Sequence, residues 1–486
     1  MKTFEPTFES LYQYSAPEWF RNAKFGIWCH WGPQSVPMFG DWYARNMYIQ
    51  GTQQYEYHVR HYGHPSRFGY KDICALWHAE KFDPHALMER FVRSGARYFV
   101  TQAVHHDHFF NYDSQVNPMN SMKVGPHRDI VSEWQAEARL HGLPFGVTEH
   151  LAASFSWWRV NKGCDQTGPY AGVPYDGNDP AWRDFYHDNY EHGTDHPQLA
   201  RPWHTANPRF QAYWLRAVTE MIDRFHPDLL YSDGALPFGE CWEDVVKPMV
   251  PQEYVQGLKA VAHLYNTSIA DHGENHSVYL QKDNRPEIWK VGTLDVEKSQ
   301  LPGVFEEPWH TDTCIGNWFY DVHSPYKSPE QIVEMLVDII SKNGVMLLNV
   351  LQKPDGTLDE EALWILDQLE KWFAVAGEAV YDTRPWRVFS EGETRVRLEG
   401  FSEFKTSWGE HDYRFTTRDG KVYAFMMGAR AGVPAVLYSF KDQQVRSVEL
   451  LGCGPVPFQQ AFGVLTVQLP DQLPLFAANA LRITFE

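Results

Sequence analysis

The chain has 486 residues and a formal net charge of −19 with its histidines neutral. An acidic surface repels phosphate backbones and anionic lipids, so we expect neither nucleic acid nor a membrane as a partner. Hydrophobic residues make up 43% of the sequence, which suffices for large buried cores and excludes a disordered chain. Aromatic residues reach 15%, which suits either an ordinary aromatic core or a carbohydrate pocket.

The N-terminus and the cysteines bear on cellular location. The first residues, Met1 to Pro6, carry no apolar signal region, and no run of about 18 apolar residues occurs. The six cysteines show no framework spacing, so we expect reduced thiols. We therefore expect a cytoplasmic protein from this sequence, although a secreted protein whose signal peptide has been removed would show the same sequence features. The sequence leaves open whether the chain forms a homo-oligomer.

From residue 25 to about 350, short apolar runs end in polar residues and are followed by loops and helical patterns. The runs cover residues 25–29, 98–104, 144–148, 229–231, 277–280, 291–296 and 345–350. Helical patterns begin at Asp83-Pro84, Asp129 and Pro208. This alternation is typical of α/β proteins and predicts a (β/α)8-like catalytic barrel. A doubly wound sheet is the alternative, but its glycine-rich phosphate turn is missing.

After a further helical pattern over residues 359–377, the sequence changes character. Residues 387–486 alternate apolar and polar positions and contain turn signals such as Arg418-Asp419-Gly420. This pattern predicts a C-terminal antiparallel β-sandwich. We therefore expect two domains, a catalytic barrel over residues 1–386 and a sandwich over residues 387–486.

Asp233 directly follows an apolar run and precedes Gly234. In a barrel, the carboxyl ends of the strands carry the chemistry. An aspartate that caps the next turn would occupy the same position, so position alone does not decide between the two interpretations.

Histidines follow two other runs, at His30 and at His105-His106. Neighbouring side chains on a strand point to opposite sides, and no HExxH pattern occurs, so we expect no metal site. Hydrogen bonding to substrate hydroxyls and a structural role for the histidines remain the two interpretations. Asp41 and Trp42 add a carboxylate and a flat apolar surface near the first strand, a mixture that suits a sugar.

A retaining glycosidase needs a second carboxyl group about 5 Å from the first. Glu297 follows the run over residues 291–296 and is the first candidate. Glu149, Glu306 and Glu307 are the others.

Six motifs in chain order resemble those of glycoside hydrolase family 29, the α-L-fucosidases. The resemblance covers about residues 17 to 386. Its parts are Lys24-Phe25-Gly26 with His30-Trp31-Gly32, Gly95 to Tyr98 with His105 to Asp107, Gly125 to Val131, Pro227 to Gly234, Lys342 to Gly344 with Pro354 to Thr357, and Gly377 to Tyr381.

The resemblance implies that Asp233 is the nucleophile and Glu297 the acid/base, with no cofactor. The sugar contacts it implies are His30, Asp41, Trp42, His105, His106, Glu149, His150, Arg285 and Trp318. Two departures stand out. The nucleophile strand reads Tyr231-Ser232 where the family often has Trp-Phe, and Glu149-His150 stands where the family often has tyrosines.

The expected function is that of an exo-acting retaining α-L-fucosidase that removes terminal α-L-fucose from fucosylated oligosaccharides or glycoconjugates. Another exo-glycosidase of the same fold, such as an α-galactosidase-like enzyme, is one alternative. A fucose-binding protein without catalysis is the other.

Overall fold

Eight parallel strands form a ring in the structure, a computed structural model that describes residues 3–189, 203–239, 249–396 and 406–486. The strands are β1 (Phe25–Cys29), β2 (Phe99–Val104), β3 (Phe145–Glu149), β4 (Leu229–Ser232), β5 (Val278–Gln281), β6 (Thr293–Leu294), β7 (Trp309–Cys314) and β8 (Gly344–Asn349). They pair in the order β6-β5-β4-β3-β2-β1-β8-β7. A parallel bridge between Asp295 and His310 joins β6 to β7. The predicted (β/α)8-like barrel is confirmed.

The barrel interior is apolar at the level of the strands. Because both faces of a barrel strand are covered, the strands are almost continuous runs of buried residues. One cluster fills the space inside the ring: Trp28, Tyr98, Val100, Leu229, Tyr231, Val278, Leu280, Val345 and Leu347, with Phe20 and Ala23 among those closing it. The polar residues at the strand ends therefore lie above a closely packed apolar core.

Strand β7 was not predicted from the sequence. It reads Trp309-His310-Thr311-Asp312-Thr313-Cys314, which lacks the apolar run that marked the other strands. All six residues are nevertheless buried, because His310 and Asp312 find hydrogen-bonding partners inside the barrel. A buried polar network therefore stabilises this strand although its sequence lacks an apolar run.

Helices surround the ring and connect its strands. They are α1 (Phe8–Leu11), α2 (Glu18–Ala23), α3 (Tyr43–Asn46), α4 (Gln53–His61), α5 (Tyr70–Leu76), α6 (Pro84–Arg93), α7 (Ile130–Leu140), α8 (Ser154–Trp157), α9 (Arg183–Tyr186), α10 (Pro208–Phe225), α11 (Val255–His272), α12 (Pro286–Trp289), α13 (Pro329–Ser341) and α14 (Glu360–Val380). Asp83, Asp129, Asn207 and Asp359 cap α6, α7, α10 and α14 through their side chains. The helices predicted at these positions are confirmed.

Two antiparallel sheets follow α14. Their strands are β9 (Arg384–Glu391), β10 (Tyr413–Arg418), β11 (Lys421–Met426), β12 (Ala435–Leu437), β13 (Val445–Leu450), β14 (Gly454–Pro455), β15 (Phe458–Ala461), β16 (Val464–Val467) and β17 (Asn479–Phe485). The larger sheet has the order β14-β13-β17-β11-β10-β9, and the smaller one β12-β16-β15. Residues of both enclose a separate apolar core. The C-terminal β-sandwich is confirmed.

The junction between barrel and sandwich is a packed contact. The buried carboxylate of Asp338 on α13 pairs with Lys342 and with Arg414 on β10, and Trp372 of α14 donates to the Ala477 carbonyl at 3.0 Å. The expected division between residues 386 and 387 falls inside β9, and the two-domain division stays a prediction.

Five of the six cysteines lie in described residues and carry free thiols; Cys241 lies outside the described residues. Among the helices described, none combines the length and the apolar character that a bilayer crossing requires.

Candidate active site

The carboxyl ends of the barrel strands bring together side chains from distant parts of the sequence. Within three residues of the strand ends lie His30 after β1, His105 and His106 after β2, His150 after β3, Asp233 after β4, Lys282 after β5, and Glu297 after β6. This edge is where a barrel presents its chemistry.

Asp233 begins the turn after β4 and is followed by Gly234, whose φ of 89° lies in the left-handed region. Its Oδ1 accepts a hydrogen bond from Lys282 Nζ at 2.7 Å. Its Oδ2 lies 3.2 Å from His106 Nε2. The Tyr231 hydroxyl lies 3.2 Å from Oδ1. The carboxylate therefore has fixed partners on three sides, and its side chain keeps 17% exposure toward the mouth.

Glu297 faces Asp233 across the same ammonium group. Its Oε2 accepts from Lys282 Nζ at 2.5 Å, and its Oε1 accepts from Trp318 Nε1 at 3.1 Å. The two contacts to one nitrogen leave the bound oxygens of Asp233 and Glu297 no more than about 5 Å apart. A separation of about 5 to 5.5 Å between two carboxyl groups is that of retaining glycosidases.

The environment drives the two carboxyl groups in opposite directions. Burial alone would raise the pKa of Asp233, but the Lys282 ammonium and the nearby imidazoles hold that pKa well below its usual range. Burial, aided by the carboxylates of Asp312 and Asp233, raises the pKa of Glu297 despite Lys282. One group is thus kept ionised and the other favours its protonated form, as an acid/base and nucleophile pair requires.

Three histidines line the opposite wall of the mouth. The ring centroids of His30, His105 and His150 lie 4.7 to 5.1 Å from one another. Burial lowers the pKa of each well below its usual value, so all three are neutral at neutral pH. Both ring nitrogens of His30 and Nδ1 of His150 have no hydrogen-bonding partner among the described residues. Neutral imidazoles with free nitrogens suit the hydroxyls of a neutral ligand.

The same three histidines also have the spacing of metal ligands, since one nitrogen from each lies within 4.8 Å of the others.

The sequence predicted His105 and His106 on opposite sides of their strand. The structure differs, because β2 ends at Val104 after a register shift, and both rings lie close to that of His150, at 4.7 and 5.2 Å.

Trp42 and Asp41 complete the aromatic side of the mouth. Trp42 has φ of 58°, a conformation that bulky residues rarely adopt and that is frequent at functional sites. Its ring stacks on Trp203 at 5.9 Å and meets His106 edge-on at 6.2 Å. Asp41 Oδ1 is buried without a partner among the described residues, and burial raises the pKa of Asp41 to about 7.

Trp318, a predicted sugar contact, lies beside Glu297. Besides its hydrogen bond to that residue, its ring lies 5.4 Å from Trp28 and 5.7 Å from His30. It therefore spans the mouth from the second carboxylate to the histidine wall.

Glu149 does not enter the mouth. Its carboxylate accepts from Trp214 Nε1 on α10 at 3.2 Å and from Leu151 N at 2.9 Å, and the residue has no exposed surface. Successive side chains of a strand point to opposite faces. Glu149 thus points into the helix layer, whereas the His150 ring lies beside those of His30 and His105 in the mouth.

Arg285, a sugar contact implied by the resemblance, binds residues beside the mouth. Its described hydrogen bonds run to Asp283, at 2.6 Å from Nη2, and to the Tyr254 hydroxyl at 2.7 Å. The cation at the carboxylates is Lys282 instead. The sequence offered a signal for Lys282, because it follows the apolar run over residues 277–280 as closely as Asp233 follows its own.

Glu306 and Glu307 are exposed and lie away from the mouth. Glu307 pairs with Arg21 at 3.4 Å, and Arg21 belongs to the helix that precedes β1. Both glutamates therefore belong to the amino-terminal end of the barrel. Of the four candidate glutamates, Glu297 is the one that shares Lys282 with Asp233.

Comparisons with known proteins all point to one family. A family model described as alpha-L-fucosidase matches residues 1–378. The tissue alpha-L-fucosidase of Rattus norvegicus is 29% identical over 99% of this chain and 92% of its own length. The alpha-L-fucosidase of Branchiostoma floridae is 26% identical, with 99% and 95% covered. The fold matches the crystal structure of a Thermotoga maritima alpha-fucosidase in complex with a mechanism-based inhibitor, with a TM-score of 0.75, 24% identity and coverage of 99% and 100%.

Proposed function

Since this chain belongs to the α-L-fucosidase family of glycoside hydrolases, we propose that it removes terminal α-L-fucose from fucosylated glycans with retention of configuration. Asp233 is the nucleophile and Glu297 the acid/base in this proposal. The observation that carries it is the contact of both carboxylates with one Lys282 ammonium, at 2.7 and 2.5 Å. That contact fixes the short separation which retention requires.

In the first step, Asp233 attacks the anomeric carbon while Glu297 gives its proton to the departing glycosidic oxygen. The product is a covalent glycosyl-enzyme. In the second step, Glu297 removes a proton from water, which attacks the same carbon and releases Asp233. The raised pKa of Glu297 suits its role as the acid in the first step. The proton that Glu297 takes from water in the second step returns it to the protonated form. The steps need no cofactor.

His30, His105 and His150 are the proposed partners of sugar hydroxyls, with His106 between them and the nucleophile. Trp42 and Trp318 supply flat apolar surfaces at two sides of the mouth. Asp41 is a further hydroxyl partner, since its buried Oδ1 has no partner among the described residues. We propose no direct substrate contact for Glu149 or for Arg285.

A panel of nitrophenyl glycosides tests the substrate. The α-L-fucoside should be cleaved and the α-galactoside should not, and proton NMR should show α-L-fucose as the first product. Cleavage of the α-galactoside in preference would support the other exo-glycosidase. Binding of fucose without turnover of any member would support the inactive binding protein.

A further inference from the structure

A chain of buried polar groups runs beneath the proposed nucleophile. His310 Nδ1 lies 2.5 Å from Asp295 Oδ1, and the carboxyl groups of Asp295 and Asp312 lie within hydrogen-bonding reach of each other. Asp312 Oδ2 lies 3.1 Å from the Tyr231 hydroxyl, which lies 3.2 Å from Asp233 Oδ1. The mechanism proposed above uses none of these groups except Asp233.

The facing oxygens of the two aspartates lack a donor. Asp295 Oδ2 and Asp312 Oδ1 are both buried, and no group of the described chain donates to either. Two ionised carboxylates within hydrogen-bonding reach of each other would repel each other strongly in a buried site. A single proton between them converts the repulsion into a hydrogen bond.

The contact with His310 determines which of the two carboxyl groups holds that proton. Burial lowers the pKa of His310 to about 4, so its imidazole is neutral and its Nδ1–H can donate to Asp295. This hydrogen bond stabilises Asp295 as the ionised member. Asp312 has only the Tyr231 hydroxyl at its other oxygen, so Asp312 keeps the proton.

The protonation of Asp312 directs the hydroxyl of Tyr231. That hydroxyl has one proton and two acidic neighbours, Asp233 and Asp312. An ionised Asp312 would compete for the proton, whereas a neutral Asp312 leaves it to the ionised Asp233. This arrangement depends on the hydroxyl of Tyr231, which lies within hydrogen-bonding distance of both carboxylates.

We propose that Asp295 and Asp312 share one proton, held by Asp312, and that the neutral Asp312 directs the Tyr231 hydroxyl onto Asp233. Asp295, Asp312 and Tyr231 are then positioning residues, an inference that rests on the proposed role of Asp233. The other titratable groups that face the pair are Lys282 on the β5 side, Glu297 beyond β6, His310 on β7 and Tyr98 on β2.

The kinetic test compares two pairs of matched variants by the pH profile of kcat/KM. Tyr231→Phe removes the hydroxyl, and Asp295→Asn removes a negative charge that raises the pKa of Asp312 and so favours the ionised form of Asp312. Both should move the acid limb to higher pH by about half a unit or more. Asp312→Asn imitates the protonated carboxyl, and Tyr279→Phe removes a buried hydroxyl on β5 that touches neither carboxylate. Asp312→Asn should leave the limb in place, and Tyr279→Phe, the control outside the pair, should leave both the limb and kcat/KM, within about threefold, unchanged.

An infrared measurement of the protonated carboxyl band at pH 6 tests the pair without activity. The wild-type band should lose intensity in Asp312→Asn and in Asp295→Asn, but not in the exposed control Glu307→Gln. An unchanged band in both aspartate variants, or a Tyr231→Phe profile equal to that of Tyr279→Phe, would overturn the inference. Failure of the proposed function would instead appear as a wild-type protein that cleaves no fucoside, while the infrared result would still stand.

Discussion

Lys282 Nζ and Asp233 Oδ1 are 2.7 Å apart at the mouth of the barrel, and the same nitrogen reaches Glu297 at 2.5 Å. One ammonium therefore fixes the separation of the two carboxylates and stabilises the ionised form of the first. When a substrate enters between them, Lys282 can keep its contact with Asp233 while Glu297 turns to the glycosidic oxygen.

Replacement of Lys282 by methionine should raise the pKa of Asp233, because the positive charge that opposes the effect of burial is lost. The acid limb of kcat/KM should move to higher pH, and kcat/KM at neutral pH should fall by about 10- to 100-fold. Lys282→Arg keeps the charge and should retain most of the wild-type acid limb. Equal profiles for the two variants would show that the charge has no such role.

Replacement of Glu297 by alanine should reduce turnover of substrates with poor leaving groups by about 10² to 10⁴-fold, since general acid catalysis is lost. Substrates with good leaving groups should be affected less, and azide should restore turnover with formation of α-L-fucosyl azide. Glu307→Ala, at the other end of the barrel, is the matched control and should behave as wild type. Absence of both effects in Glu297→Ala would remove Glu297 from the role.

His150 and Glu149 are neighbours that should respond differently. His150→Ala removes a ring from the mouth and should lower kcat/KM by about 10- to 100-fold through a lost hydrogen bond and an altered pocket. Glu149→Gln keeps the shape in the helix layer and should change kcat/KM by less than about threefold, with a loss of about 1 kcal/mol in the free energy of unfolding. Steady-state kinetics with an aryl α-L-fucoside and urea unfolding measure both effects. The reverse order of the kinetic effects would contradict the assignment of His150 to the mouth.

The buried Asp295 and Asp312 should also affect how stability depends on pH. Burial of the pair raises the pKa of each from 3.8 to about 7, so between these values the folded chain holds the one shared proton, which the unfolded chain has released. Their contribution to the free energy of unfolding is fully present below about pH 4 and is lost as the pH rises through 7. Urea unfolding at several pH values should show this decline reduced in Asp312→Asn by about 1 to 3 kcal/mol. An identical slope in wild type and variant would contradict it.

The contrast between β4 and β7 shows how much of this molecule its sequence predicts. The apolar run before Asp233 marks a buried parallel strand, and the barrel, the sandwich and most strand-end residues follow from such runs. Strand β7 has no such run, because its inward residues His310 and Asp312 are polar and are stabilised by partners far away in the sequence. Sequence periodicity reports burial of apolar groups and cannot report a buried polar network.

The sequence also could not predict the direction of the side chains at the strand ends. Glu149 and His150 are adjacent in the sequence and were both predicted to contact the sugar, and only the structure assigns one to the helix layer and the other to the mouth. Lys282 was not among the predicted site residues, although it follows the apolar run over residues 277–280 as closely as Asp233 follows its own run. The site residues themselves stay predictions that the variants above can test.

Trapping of the glycosyl-enzyme tests the central claim most directly. A fluorinated α-L-fucoside that reacts in the first step and stalls in the second should label the protein once, and mass spectrometry of the digested protein should place the sugar on Asp233. Asp233→Ala should fold as wild type and take up no label. A label on any other carboxylate, or full turnover by Asp233→Ala, would contradict the account.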